Sequence, residues 1–523
     1  MAAPPVEANA QRASSRDAHW QRSARSDTAR DGVGLGSCYL ALMVFPVPSH
    51  LANRTLRHVA LCVIALACAR ETPRIEPQPQ PGPPPGFSEP EWERVSELSP
   101  QPALPSSPTN AVADDPRAAL LGQRLFFDAA LSGPIVRASD LGEPGDAGRV
   151  ACVSCHDPER WFVDRRSPGA GHGSLGTDLL VHRNTPTAVN VAYYAWYQWD
   201  GIFDSLWSHG TTTPEHPATF HGSRVRVARV LATRYRREYE ALFGPWPQVE
   251  LAAWPEDASP RSSLWMAVSG NEAQAQQWES RPPAEQDRID EIFARYGKVM
   301  EAYLRTLRSG PAPFDRFVAG ERGAISASAA RGARLFVGKA ACHECHSGPM
   351  LSDAAYDGRR RAWTGGFHNL GLAQNPAEIE GILDRDIGRG PLLAFVESTS
   401  RNVLTSFNGM SRFSDDPAHG EAKLRALSAS DPERQTGAFR TPSLRNVAES
   451  APYMHNGNLP TLESVIRFYD RGGDPDGFVG QRDKLIFALD LTEPEIADLV
   501  AFLETLTGEP VPEARRRRPD PAP

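Results

Sequence analysis

Apolar residues recur three and four positions apart in several stretches, and each such stretch predicts a helix with one buried face. The longest stripe is Ile289, Ile292, Phe293, Tyr296, Val299, Met300, Tyr303 and Leu307. A second, Ile496, Leu499, Val500, Leu503 and Leu506, follows the capping box formed by Thr492 and Glu495. A third opens at Asp114, Asp115 and Pro116 and presents Leu120, Leu121, Leu125 and Phe126. Alternation with period two is weak throughout, so the fold class is mainly α, with long loops.

Gly122-Gln123-Arg124-Leu125-Phe126 reappears as Gly332-Ala333-Arg334-Leu335-Phe336, an internal repeat of the form G-x-R-L-F. Each copy opens a segment that ends in one of the two long stripes. The chain therefore divides into a first domain over 111–312 and a second over 320–510, joined around Ser309 to Ala324. Residues 250–286, with Trp254, Trp265 and Trp278 among polar neighbours, read as an insertion. Proline density over 71–110 predicts an extended spacer, and 511–523 reads as a disordered tail.

Residues 1–70 form an N-terminal extension that ends in a signal-like segment. Arg54, Arg57 and His58 precede the apolar run Val59–Ala67 and then Cys68. The run is too short to span a bilayer. It fits a secretory signal or a lipoprotein signal anchored through Cys68, and Met43 is an alternative start. The expected location is the periplasm. A net charge of −8 over 523 residues argues against a nucleic-acid partner.

Of the seven cysteines, Cys38, Cys62 and Cys68 belong to the N-terminal stretch. The other four occupy Cys152-Val153-Ser154-Cys155-His156 and Cys342-His343-Glu344-Cys345-His346. A C-x-x-C pair alone fits half a zinc site or a thiol redox couple. With the adjoining histidine, twice over, the pattern is that of covalent c-type haem attachment. Both thiols add to vinyl groups on one porphyrin edge, and His156 or His346 turns under the iron. Leading helix, haem motif and closing helix are the layout of a cytochrome c domain, and the haem supplies much of the apolar core.

Further motifs follow the haem sequences. They are Asp157-Pro158-Glu159-Arg160, Arg183-Asn184-Thr185-Pro186, Trp199-Asp200-Gly201, Phe314-Asp315-Arg316-Phe317 and Phe367-His368-Asn369-Leu370-Gly371. Arg440-Thr441-Pro442-Ser443-Leu444-Arg445-Asn446-Val447 then runs into Ala451-Pro452-Tyr453-Met454-His455-Asn456-Gly457. Taken together, residues 116–509 resemble the bacterial dihaem cytochrome c peroxidase and MauG family. The resemblance implies that the first haem meets hydrogen peroxide and the second feeds it electrons, with Trp199 between them. It also implies an interdomain calcium ion held by Asn184 and the backbone oxygens of Ser450 and Pro452. The sixth ligand of the second haem is methionine in peroxidase-like members and tyrosine in MauG-like ones. Fourteen residues after His455 the chain has Tyr469, with Met454 as a rival. A phenolate stabilises ferric and more oxidised iron. His172 resembles a loop histidine that caps the first iron in some resting members.

One position departs from the family. Its glutamate for proton movement in peroxide cleavage corresponds to Thr219, a poor base. Ten residues after Trp199, where glutamine is common, stands His209. His209, Glu215, His216 and His221 are the available substitutes. The expected partners are a small donor cytochrome c or cupredoxin, or a substrate protein, and family members are often homodimers. The competing function is a non-catalytic dihaem electron carrier or haem sensor.

Overall fold

The computed structural model describes residues 82–520, apart from 137, 165–171, 174–179, 182, 218, 262–271, 358–365, 375–385, 391–405 and 429–432. The signal-like run, Met43, Cys38, Cys62, Cys68, Trp265 and the start of the proline-rich stretch lie outside the described residues. The chain divides into a unit Met1–Gln78 and a unit Pro79–Pro523, and the second carries both haem motifs.

The helices of that second unit, in chain order, begin with α1 (Glu89–Ser96), α2 (Pro116–Phe126), α3 (Leu206–Thr212), α4 (Arg224–Arg234) and α5 (Arg236–Phe243). Then come α6 (Glu272–Glu279), α7 (Pro283–Leu304), α8 (Pro313–Val318) and α9 (Ala327–Val337). The last are α10 (Pro417–Ser428), α11 (Leu462–Asp470), α12 (Glu493–Glu504) and α13 (Glu513–Arg516). Among the described residues, strands occur only as two short antiparallel pairs. In one, β1 (His172–Gly173) meets β2 (Leu180–Val181). In the other, β3 (Phe367–His368) meets β4 (Phe439–Arg440). No described helix is long and apolar enough to cross a membrane.

The two copies of G-x-R-L-F do the same work. Gly122 lies where α2 crosses α7, and a Cβ there would sit 1.9 Å from the Val299 carbonyl oxygen. Gly332 lies where α9 crosses α12, and a Cβ there would sit 2.0 Å from that of Asp498. Glycine in each copy allows backbones to touch. The phenylalanine of each copy then anchors its core. Phe126 packs edge-on to Tyr303 at 5.1 Å, and Phe336 meets Phe502 at 5.1 Å. Two apolar clusters result, one around α2, α3, α4 and α7, the other around α8, α9, α11 and α12.

Two expectations need correction. From residue 82 the proline-rich stretch is not a free spacer. It forms α1, and Trp92, Val95 and Leu98 bury themselves in the second cluster, with Trp92 edge-on to Phe317 at 5.6 Å. Apolar anchors outweigh the local cost of the prolines. The C-terminal tail is also placed, up to residue 520. Val511 is buried, Tyr303 Oη donates to the Arg515 carbonyl, and Gln123 Nε2 donates to those of Ala514 and Arg517. Within the stretch 250–286, the described tryptophans pack into the core. Trp254 and Trp278 are buried 5.0 Å apart in the first core, and Trp254 Nε1 donates to Glu285.

Candidate haem sites and the seam between them

Each haem motif is a tight turn. Cys152–Ser154 forms one 3-10 turn and Cys342–Glu344 the other, and the His156 and His346 amides close back on the Cys152 and Cys342 carbonyls. The imidazoles are then oriented alike. His156 Nδ1 lies 3.0 Å from the Phe162 carbonyl oxygen, and His346 Nδ1 lies 3.0 Å from that of Leu351. A carbonyl only accepts, so Nδ1 carries the proton and Nε2 keeps its lone pair for a metal. Burial holds both rings below the ordinary histidine pKa, in the neutral form that a ligand needs.

The loops that present those carbonyls are pinned by a pattern that sequence reading missed. Thr185-Pro186-Thr187 leads to Asn190-Val191-Ala192, and Thr441-Pro442-Ser443 leads to Asn446-Val447-Ala448. Thr187 Oγ1 donates to the Trp161 carbonyl and Ser443 Oγ to that of Met350, one residue before Phe162 and Leu351 respectively. Asn190 and Asn446 both adopt φ of 62°, and both donate through Nδ2 to Ser309 Oγ. Their backbone amides close the ends of the two halves at the Leu307 and Leu506 carbonyls. The spacing T-P-x-x-x-N-V-A was available in the sequence as a second repeat.

The thiols also bear on the chemistry. None of the four is in a disulfide, and burial pushes Cys152 and Cys342 up to about 12. Such thiols are poor redox nucleophiles. Among the described residues no group of three or more His, Cys, Asp or Glu could hold a metal, so a zinc site lacks ligands. Haem fits better on a third count. Among the buried polar atoms without a partner are Arg440 Nη1, Thr441 Oγ1, His209 Nδ1, Asp353 Oδ1 and His343 Nδ1. Several of these stand beside the motifs or at the seam between the halves. Arg440 Nε donates to the Gln198 carbonyl, but its buried Nη1 has no partner, which is costly, and a porphyrin brings carboxylates that could meet it.

At that seam, Arg183 is held between Asp200 at 2.6 Å and Asp386 at 2.8 Å. Its guanidinium lies over Phe439, which stacks on His455 at 3.6 Å. Trp199 is buried, donates through Nε1 to the Asn184 carbonyl, and accepts at its own carbonyl from the Arg440 amide. Arg440 lies 3.5 Å over the Tyr194 ring, and Tyr194 Oη accepts from the Ser443 amide. Asn184 Nδ2 donates to the Pro452 carbonyl at 2.6 Å, so this pair is in place as a hydrogen bond between the two halves of the chain. Ser450 lies beside it, its hydroxyl turned back to the Val447 carbonyl.

The other expected site residues separate clearly. Tyr469, on α11, is close enough to Cys345 and Cys342 that, after burial, they are what raise its phenol above the ordinary range. Its hydroxyl has no hydrogen bond among the described residues. Met454 is half-buried with a left-handed backbone, φ 72°. Thr219 Oγ1 is spent on the chain itself, lying 2.7 Å from the Thr213 carbonyl and 3.1 Å from that of His216. Glu215 is locked to Arg224 at 2.7 Å and accepts from Ser259, while exposed His221 rests on the Pro134 carbonyl. His172 is in register with Val181, and its side chain falls outside the described set. His209 stands on α3 with Nε2 2.6 Å from the Gln198 amide nitrogen.

Paired turns with identically oriented histidines are the arrangement of a dihaem protein. The family model for di-haem cytochrome c peroxidase matches residues 116–323. Cytochrome-c peroxidase IdrP1 of Denitromonas iodatirespirans is 32% identical, over 78% of this chain and 86% of its own length. The methylamine utilization protein MauG of Methylorubrum extorquens is 29% identical, over 76% and 79%. Among solved structures, a MauG-like protein associated with microbial copper homeostasis is 26% identical with a TM-score of 0.52, covering 80% of this chain and 98% of its own. The chain belongs to the dihaem cytochrome c peroxidase and MauG family, and it is a peroxidase-like oxidoreductase.

Proposed function

We propose that this is a periplasmic enzyme with two tandem cytochrome c-like domains, one haem in each, and that electrons pass from the second haem to the first. The observation that carries the reading is the pair of attachment turns with matched carbonyl-oriented histidines, flanking a seam that holds Trp199. When bound, the first haem would supply the iron at which peroxide is cleaved, and the second would store electrons. The chain's own residues set what each does. His156 and His346 would hold the irons. Trp199, fixed at its indole nitrogen and at its carbonyl, provides a rigid aromatic bridge across the seam. Tyr469 would be the sixth ligand of the second haem, supported by its unpartnered hydroxyl beside Cys342 and Cys345. That choice favours the MauG-like use of oxidising equivalents on another substrate, a protein, over simple peroxide removal with electrons from a small cytochrome c or cupredoxin. A calcium ion at Asn184, Ser450 and Pro452 requires the Asn184 amide to turn its oxygen to the ion, as an oxygen shell demands.

The test is stopped-flow spectroscopy of the purified diferric protein mixed with equimolar hydrogen peroxide. A rapid, reversible shift to a long-lived oxidised spectrum is expected. No shift, with slow bleaching alone, would favour the electron carrier or haem sensor, a reading to which Thr219's engagement with its own backbone gives some weight.

A further inference from the structure

We propose that two cations set the electron route: Arg389 and Lys423 lie over Trp196, make that ring hard to oxidise, and so confine oxidising equivalents to Trp199. The inference deepens the reading of Trp199 as the bridge across the seam and rests on it. The run Tyr193-Tyr194-Ala195-Trp196-Tyr197-Gln198-Trp199 offers two indoles three residues apart. Both are buried, at 3% and 7% exposure. Arg389 reaches towards both. Its Cζ is 5.2 Å from the Trp196 ring centre, and its Nη1 is 2.9 Å from the carbonyl oxygen of Asp200, next in the chain to Trp199. Lys423 Nζ, from α10, is 5.1 Å from the same Trp196 ring. No cation lies over Trp199 among the described residues, and its Nε1 donates to the Asn184 carbonyl at 2.8 Å.

Carbonyls hold each cation in place without cancelling its charge. Arg389 Nη1 donates to those of Asp200 and Gly201, and the guanidinium also lies 3.6 Å over Phe367. Lys423 Nζ donates to those of Ala195 and Asp204. Burial lowers Arg389 to about 9 and Lys423 to about 8, with Asp200 opposing it for the first and Asp204 and Glu301 for the second, so both are charged at neutral pH. An indole that loses an electron becomes a cation itself. Its repulsion by a fixed charge at about 5 Å, in an interior of effective dielectric about 20, shifts an equilibrium more than ten-fold. The neutral ring is attracted by the same charges, so both states work in one direction. At Trp199 the carbonyl on Nε1 favours the oxidised ring instead, since a charged donor bonds more strongly.

The tyrosines of the run are held back differently. A phenol loses an electron readily only where its proton can leave to a base. Tyr193 and Tyr197 donate to the carbonyls of Pro102 and Tyr194, which are very weak bases, and Tyr194 Oη accepts from the Ser443 amide. Trp199 is left as the ring of the run that is easiest to oxidise. Arg389 and Lys423 are thus positioning residues that act on the route through Trp196.

Hydrogen peroxide takes up two electrons and two protons and leaves as two waters. Where no donor is present, a tryptophan supplies those electrons one at a time. It loses two electrons and two protons in all, gains the oxygen and hydrogens of one water, and becomes hydroxytryptophan. The position of that product records which indole was oxidised.

The experiment uses the full-length protein with both haems and the variants Lys423→Met, Lys423→Arg and Arg389→Met. Haem content and far-UV circular dichroism check folding, and if Arg389→Met does not fold, the Lys423 pair decides. Each protein is oxidised without a donor in two ways, by hydrogen peroxide and by photogenerated ruthenium(III) tris(bipyridine), which needs no peroxide chemistry. Peptide mass spectrometry then gives the ratio of hydroxytryptophan at Trp196 to that at Trp199. The wild type should favour Trp199, Lys423→Met and Arg389→Met should each raise the ratio about ten-fold, and Lys423→Arg, which keeps the charge, should match the wild type. Three results would overturn the proposal: a wild-type ratio near one or above, a ratio unmoved in the folded Met variants, or a rise in Lys423→Arg as large as in Lys423→Met, which would make packing the cause. A wild type inert to peroxide whose ruthenium ratios follow the expected pattern would sink the peroxidase reading and support the electrostatic one. A wild type that reacts with peroxide but shows flat ratios would sink this proposal alone.

Discussion

Asp315 and Arg445 join two of the sequence motifs inside the second half, and removing the carboxylate isolates what the pair does. Arg445 and Asp315 side chains are 2% and 8% exposed, and they meet through two bonds of 2.9 and 3.0 Å. Arg445 also donates through Nε to the Pro349 carbonyl, in the loop that presents His346. Asp315 further accepts from Ser99 Oγ and the Ala312 amide. Asp315→Ala strands a buried guanidinium, and breaking such a pair costs about 3–5 kcal/mol. Replacing both members by apolar residues, Asp315→Leu with Arg445→Met, should stay within about 2 kcal/mol of wild type. Burial acts to raise the Asp315 pKa, but the bonds from Arg445 win and hold it below the ordinary 3.8. Its contribution is therefore present above that value and fades as the pH falls through the lower folded one, so the gap between wild type and Asp315→Ala should close below about pH 4. The assay is guanidinium chloride unfolding, followed by circular dichroism and by absorbance of the second haem. A loss under about 1 kcal/mol at neutral pH, or a double variant as unstable as the single one, would refute the reasoning.

Other consequences are equally direct. Gly122→Ala and Gly332→Ala each drive a methyl into a carbonyl and should each cost about 3 kcal/mol in thermal or denaturant unfolding, whereas Gly323→Ala, with nothing within 4 Å, should be nearly silent. His368 lies 2.8 Å from both Asp353 and Asp483. Burial lowers its pKa, but the bond to Asp353 outweighs this and holds it above the ordinary value. The stability it adds is full below the unfolded value near 6.5 and fades as the pH rises through the raised folded value, so His368→Gln should flatten the alkaline limb of a stability–pH curve. Deleting residues 512–523 orphans Tyr303 Oη, Gln123 and part of Arg124's hydrogen bonding. It should cost roughly 3 kcal/mol or more in the first half, read from the unfolding transition of the first haem's absorbance.

What could be read from the chain was whatever depends on local spacing. The attachment turns, the long stripes of α7 and α12 and the G-x-R-L-F repeat are local patterns, and each does its work where it stands. The T-P-x-x-x-N-V-A repeat was equally local and went unread, because its residues look like ordinary turn formers until the carbonyls they pin are seen. The segment around Trp92 was misjudged because proline density dominates a composition window, while three apolar side chains decide the packing. The tail was misjudged for a similar reason, with four arginines obscuring one buried valine. The fate of Glu215 was not legible at all. Arg224 is nine residues away and could have been guessed, but Ser259 and Asp290, which complete that ion-pair knot, are brought in by tertiary folding alone.

Because His156 and His346 are oriented by the same device, any difference between the two sites has to come from residues elsewhere around them. In the first half one such residue is His209, whose Nε2 meets the Gln198 amide. In the second half the residue proposed to differ is Tyr469, whose phenol would become an anion only if a metal took its proton. Tyr469→Phe removes that oxygen and nothing else, since the ring's packing on Phe468, at 5.4 Å, is unchanged. The expected outcome is a second haem that loses its sixth ligand in the diferric spectrum and an oxidised state after peroxide that decays at least about ten-fold faster, about 1.4 kcal/mol. Fluoride affinity at the first haem should not move. A diferric spectrum unaltered by Tyr469→Phe but altered by Met454→Leu would transfer the ligand role to Met454, and with it the preference of this haem from ferric to ferrous iron.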